Sequence, residues 1–155
     1  MTDSPDPVTT DVPGLLELVG RKLGPTAWRS VGQEQVDAFA DLTEDHNPIH
    51  VDPEAAAKTP FGGTIIHGYF TVALLAPLLA ELLVVEGASL SINYGFDKLR
   101  FPSPVPVGAD FRAGAEIAEA FEKGGFVEIA VAVTVEVRDA PKPALVAECR
   151  FRYAA

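Results

Sequence analysis

The stretch Ile65–Val85, IIHGYFTVALLAPLLAELLVV, decides how the rest of this chain is read. Its length matches a membrane span, which takes about 20 apolar residues. His67, Gly68, Pro77 and Glu81 interrupt it, however, and its flanks carry no basic bias. The expectation is a helix buried all round in a soluble core, kinked at Pro77. After Gly87 the period changes to two. Leu90, Ile92, Tyr94 and Phe96 alternate with polar positions, and the phase then slips to Leu99 and Phe101, which predicts a bulge near Gly95. Further alternating runs cover Val105 to Ile117, Val127 to Val137 and Leu145 to Tyr153, separated by Lys123-Gly124-Gly125 and by Asp139 to Pro143. Four long, half-buried antiparallel strands and one buried helix predict an α+β domain in which one curved antiparallel sheet wraps around the helix.

Working outward, residues 1–12 are polar and hold two prolines, Pro5 and Pro7, which reads as a flexible tail; residues 13–155 then form one domain. Within that domain, 15–23 has the leucine spacing of a helix, 26–31 reads as a short strand, and Val36, Phe39 and Ala40 mark an amphipathic helix. The chain has 155 residues, 48% hydrophobic and 22% charged, as in ordinary soluble domains. A net charge of −10 argues against nucleic acid as a partner, because that demands a basic face. One cysteine, Cys149, excludes an internal disulfide, and its place on a strand reads as core rather than nucleophile. The acidic, proline-rich start lacks the basic and apolar regions of a signal peptide, so a cytoplasmic, non-membrane location is the expectation.

The segment just before the apolar run, Asp41–Gly68 (DLTEDHNPIHVDPEAAAKTPFGGTIIHG), carries all three histidines of the protein. His46 and His50 have the spacing of one helical face. Pro48 lies between them, lacks an N–H and disfavours helix at Asn47, so a turn is expected instead. An extended chain would hold Asp45 and His50 roughly 17 Å apart; a turn brings them together. A carboxylate and an imidazole so placed hold and move the protons of one water. That suits addition or loss of water at a polarised double bond. The start of the helix near Gly68 offers free N–H groups and a favourable dipole to a developing oxyanion. Asp52-Pro53 reads as a helix cap followed by a first-turn proline. His46 is expected to face solvent, His67 to be structural, and Asn47 to hold the turn. Asp45, His46, His50 and His67 are all metal-ligand types. Nonetheless no HExxH or cysteine-rich spacing supports a metal, and none is expected.

The run Phe39 to Pro53, FADLTEDHNPIHVDP, with Ala55-Ala56 and then Pro60 to Gly68, PFGGTIIHG, resembles the MaoC-like hydratase/dehydratase family. It is similar to the motif of (R)-specific enoyl-CoA hydratases: an Asp, then Asn-Pro-aliphatic-His, then a small residue, here Ala56. Asn93 to Gly108 resembles the strand and turn of the actinobacterial 3-hydroxyacyl-thioester dehydratase and NodN-like branch. The resemblance implies a hot-dog fold, a homodimer with the site at the subunit interface, and reversible hydration of a trans-2-enoyl thioester, CoA- or carrier-protein-bound, to the (R)-3-hydroxyacyl form, without a cofactor. By position it implies that Asp45 and His50 are the catalytic pair, Asn47 a supporting residue, and Gly68 the N–H donor to the thioester oxygen.

Some features depart from that family's pattern. The residue before the aspartate is commonly glycine and here is Glu44, and the serine that some hydratases carry in the central helix has no counterpart at Leu75-Ala76. Lys98 and Arg100 share a strand face; Arg100 is a candidate contact for the CoA phosphates or the site rim, against the alternative of a surface ion pair. Rival functions are a hot-dog acyl-CoA thioesterase, for which Glu81 stands too far along the helix, and a non-catalytic acyl-thioester-binding subunit.

Overall fold

A computed structural model describes residues 4–155. The elements in chain order are β1 (Val8–Asp11), a 3₁₀ turn (Pro13–Glu17), β2 (Lys22–Leu23), α1 (Gln33–Thr43), α2 (Pro48–Val51), α3 (Pro53–Ala57), α4 (Gly68–Ala80), β3 (Leu83–Glu86), β4 (Leu90–Arg100), β5 (Phe111–Lys123), β6 (Phe126–Val137) and β7 (Leu145–Ala154). Five strands form one antiparallel sheet in the order β2-β5-β6-β7-β4. The α4 side chains Leu75, Leu78 and Leu79 share one core with Ile117, Ile129, Val131, Val133 and Val135 of the sheet. Leu78 and Ile129 are fully buried, and each such side chain contributes about 1.5–3 kcal/mol. This is the expected helix gripped by a curved antiparallel sheet, the hot-dog arrangement.

The β4–β7 register shifts at Asn93/Gly95 and again at Phe96/Lys98, so the predicted bulge near Gly95 is present. Several local expectations need correction. Residues 8–11 are not tail: Val8, Thr9 and Thr10 favour extended backbone, and β1 pairs in parallel with β3. Residues 1–3 of the expected tail lie outside the described residues. The 15–23 segment is not a helix. It is a 3₁₀ turn, a break at Gly20 with φ +83°, and β2 against Glu116 and Ala115. Over 26–31 no strand forms: Arg29 bridges β5 at Phe111, and the Thr26 N–H donates to the Ala113 carbonyl (2.8 Å).

The apolar run divides. Its helix covers only Gly68–Ala80, with Pro77 inside it, and Leu83–Glu86 leaves as β3. Nor is α4 buried all round, since Tyr69, Ala73, Ala76, Pro77 and Ala80 are exposed on one side. The alternating residues Val105, Val107 and Ala109 precede β5 rather than joining it. Their backbone bonds go elsewhere: the Ile66 N–H donates to the Val105 carbonyl (2.8 Å) and the Val107 N–H to the Thr64 carbonyl (3.0 Å). That segment therefore pins the approach to α4, where the site lies.

Candidate active site

α1 ends at Thr43, and Glu44 caps it in the left-handed region at φ 61°. Glycine takes that conformation without strain, which gives a physical reason for glycine being common before this aspartate. The chain then turns. The Asn47 N–H donates to Asp45 Oδ1 (3.3 Å), and the Ile49 N–H donates to Asn47 Oδ1 (3.2 Å). Asn47 is thus the N-cap of α2, with Pro48 at its first position and His50 within its single turn. The expected separation of the two histidines follows, since His46 lies outside α2. His46 pairs instead with Asp41 (2.8 Å) in solvent. Asp52 accepts from the Glu54 and Ala55 N–H groups (both 3.0 Å) and caps α3, as the Asp-Pro pair predicts.

His50 is buried, and its Nδ1–H donates to the Ile65 carbonyl at 2.7 Å. A carbonyl only accepts, so in the neutral ring Nε2 carries the lone pair. Burial holds the His50 pKa below its usual value; the Ile65 carbonyl opposes that shift, His67 adds to it, and Asp45 opposes it. One side-chain atom each from Asp45, His50 and His67 lie within 4.8 Å of one another. A water bridging Asp45 and His50 at ordinary hydrogen-bond lengths of about 2.8 Å fits that separation.

Gln33 has no role in the sequence reading, yet it ties the site together. Its Nε2 donates to the His50 carbonyl (2.7 Å) and to Asp37 (2.8 Å), and its Oε1 accepts from Thr64 Oγ1 (2.7 Å). Nothing in one sequence separates it from any other glutamine at a helix start.

A cleft of about 420 Å³ opens beside His50, lined also by Ile49, Gly68, Thr71, Phe101 and Val105. Gly68 is the first residue of α4, so its N–H has no carbonyl one turn earlier to bond. A Cβ at this position would stand 3.1 Å from the Phe101 ring, so the missing side chain keeps that approach open. His50 and Gly68 thus share a cleft, with Asp45 beside His50 and Asn47 holding the turn between them. Arg100 is the last residue of β4, one before the cleft-lining Phe101. It is exposed, donates to the Leu99 carbonyl (2.8 Å), and among the described residues forms no salt bridge. The surface ion pair is therefore absent, and the guanidinium remains open to an anion.

A second hollow, about 480 Å³, lies at the far end of α4 between Ala76, Leu79, Leu83, Phe151 and Tyr153; it holds no acid–base pair. Cys149 is buried, and burial pushes its thiol up to about 12, which fits core and not nucleophile. Glu81 sits exposed at the end of α4, paired with Arg29. A metal fits the Asp45, His50 and His67 group poorly. The two imidazoles stack face to face, centroids 3.8 Å apart at 24°, so their in-plane lone pairs run side by side instead of converging on one ion.

Residues 15–140 match the family model described as "MaoC like domain". The chain is 48% identical over 145 residues to 3-hydroxyacyl-thioester dehydratase Z of Mycobacterium tuberculosis, covering 93% of this chain and 96% of that one. It is 41% identical to nodulation protein N of Rhizobium meliloti over 84% and 83% of the two chains. Among solved structures, the (R)-hydratase of A. caviae involved in PHA biosynthesis superposes with a TM-score of 0.68 at 32% identity, covering 86% of this chain and 94% of that one.

Proposed function

The chain belongs to the MaoC-like dehydratase family, and from that premise we propose that it interconverts a trans-2-enoyl thioester and the (R)-3-hydroxyacyl thioester through Asp45 and His50. The activity class is hydratase/dehydratase, as in the relatives named for it. One observation carries the residue assignment: a carboxylate and a buried imidazole with its lone pair on Nε2 stand within 4.8 Å of each other beside the cleft.

The chemistry follows from two acceptors. The carboxylate and Nε2 each accept one hydrogen of a water, which leaves the water's lone pairs directed at C3 of the enoyl group. In hydration the oxygen bonds to C3, the C2=C3 π electrons move towards the thioester carbonyl, and the pair takes one proton from the water. The Gly68 N–H, with the positive end of the α4 dipole behind it, stabilises the enolate oxygen. The pair then returns a proton to C2, and the sum is one water added. Because both groups act on one water, the titration belongs to the pair. Substrate and water balance the reaction, so this reading takes neither cofactor nor metal. Arg100 is assigned to the thioester's phosphates at the rim.

The active form in this reading is a homodimer. Supporting it, β4 is an edge strand with Leu90, Tyr94 and Phe96 exposed, the last beside Ala73 and Ala76 on the exposed side of α4. No helix among the described residues is long and apolar enough to cross a membrane, and the reading keeps the enzyme in the cytoplasm.

The test is a spectrophotometric assay with crotonyl-CoA and longer enoyl-CoAs on wild type, Asp45→Asn and His50→Gln. The conjugated enoyl absorbance should fall with wild type, and at least about 100-fold more slowly with each variant, since general acid–base groups contribute roughly 10²–10⁴-fold. Chiral analysis should give the (R) product. Equal rates in all three proteins would remove Asp45 and His50 from the chemistry.

A further inference from the structure

His67 stands between the two catalytic arms. It is 1% exposed and is the N-cap of α4, immediately before Gly68. Its Nε2–H donates to the backbone carbonyl of Asp45 at 3.0 Å. Its ring stacks on His50 and packs against Phe39 at 4.9 Å, and Phe39 in turn stacks on Phe70 of α4. Its other nitrogen, Nδ1, is buried with no hydrogen-bond partner. A ring that only filled space would serve as well as phenylalanine and leave no orphan acceptor. Such an acceptor costs about 1–3 kcal/mol. The imidazole is retained at that cost because Nε2 reaches the Asp45 carbonyl.

We propose that His67 is a positioning residue, whose Nε2–H fixes the Asp45 loop beside the His50 imidazole on which its ring stacks. Asp45 lies in the non-helical stretch between α1 and α2, where no backbone ladder sets its place. The bond from His67 ties that stretch to the start of α4, the element that also presents the Gly68 N–H. Carboxylate, imidazole and oxyanion donor are thereby referred to one rigid helix end. The groups that face His50 electrostatically are His67 and Asp45, so the ring of His67 also shields one side of the base.

This proposal rests on the assignment of Asp45 and His50 above, and its test separates the two. His67→Gln places an amide nitrogen near the Nε2 position, whereas His67→Asn reaches only the Nδ1 position. Both lose the stacked ring, so both should lose thermal stability, His67→Asn more, since it also leaves the Asp45 carbonyl unpaired. Per folded molecule, His67→Gln should keep kcat within about fivefold of wild type, while His67→Asn should lose up to about 100-fold in kcat with little change in KM, the scale of a roughly 1 Å misplacement. Equal kcat in the two variants would overturn the positioning role. On the wild-type protein, ¹⁵N NMR of the imidazole should find Nε2 protonated and Nδ1 bare. The opposite tautomer would also overturn the proposal, whether or not either variant folds. If Asp45→Asn keeps wild-type turnover, the functional assignment itself fails. If Asp45→Asn is inactive and the two His67 variants are equal, only the role of His67 fails.

Discussion

In the proposed reaction His50 works through the placement of one proton. The Ile65 carbonyl takes the Nδ1 hydrogen, and burial keeps the ring's pKa below the usual histidine value. The neutral form, which accepts from water, therefore persists to lower pH than in a free histidine. The acid limb of kcat/KM should lie below about pH 6.5. The same shift bears on stability. Below about pH 6.5 the unfolded chain binds a proton that folded His50 resists, so stability falls as pH drops from there towards the lower folded pKa. His46 works in the opposite direction: Asp41 raises its pKa, so its contribution is present at low pH and is lost as pH rises through the raised value. It is fully exposed, and solvent screens it. Melting wild type and His50→Gln from about pH 7 to about pH 5 should thus show a steeper loss in wild type; parallel curves would contradict the buried, neutral His50. At this scale the approach of Asp45 and His50 was legible in the sequence because Pro48 forces a turn between them. Gln33 and His67 were not, because each bonds a backbone carbonyl. Every residue has one, so such a partner leaves no mark in the sequence.

The elements divide along a similar line. β6 and β7 were legible because one face of each is core: Val127, Ile129, Val131, Val133 and Val135 are all buried. The alternation from Val105 to Ala109 has the same pattern, but its N–H and carbonyl groups serve Thr64 and Ile66 rather than a sheet neighbour. Periodicity reports which side is buried and does not report where the hydrogen bonds go. The apolar run hid its division for a related reason, since Leu82 is core whether it follows a helix or precedes a strand. The joint between α1, α2 and the Thr64 segment is the element-scale feature with most consequence for activity, and Gln33 is its clasp. Gln33→Glu is nearly isosteric but replaces the Nε2 donor with oxygen. That puts an acceptor 2.7 Å from the His50 carbonyl and a negative charge 2.8 Å from Asp37. The variant should lose ~2 kcal/mol or more in denaturant melts, because a buried acceptor is left unsatisfied. It should also lose turnover, because α2 carries His50. Asp52→Ala, which removes the cap of α3, should cost ~1 kcal/mol and leave turnover near wild type, since α3 holds no member of the pair. Equal activity losses in the two variants would show that Gln33 acts only on global stability.

Taken as a whole molecule, the chain leaves one side unfinished. β4 presents an unpaired edge, and edge strands are normally short, charged or covered. This one is long and carries exposed Leu90, Tyr94 and Phe96, of which Phe96 lies beside the small residues Ala73 and Ala76 of α4. A second copy related by a two-fold axis would place β4 against its own counterpart, antiparallel, and lay the two α4 helices close together. Small side chains on α4 permit that approach. Opposing it, each chain carries a net charge of −10, so two protomers repel at low ionic strength, where the screening length is about 30 Å at 0.01 M against about 8 Å at 0.15 M. The dimer should therefore tighten as salt rises, through both screening and the apolar contact, the reverse of an association held by opposite charges. Phe96→Lys is the discriminating change. Phe96 is 45% exposed in the single chain, so lysine there should leave the protomer's fold intact while placing two ammonium groups across a symmetric seam. Sedimentation at several salt concentrations should find wild type dimeric and Phe96→Lys shifted to monomer, with the enoyl-CoA activity of the monomer reduced under the proposal that the dimer completes the site. A wild type that sediments as a monomer at assay concentration, or a monomeric Phe96→Lys with full activity, would show that one chain alone completes the site.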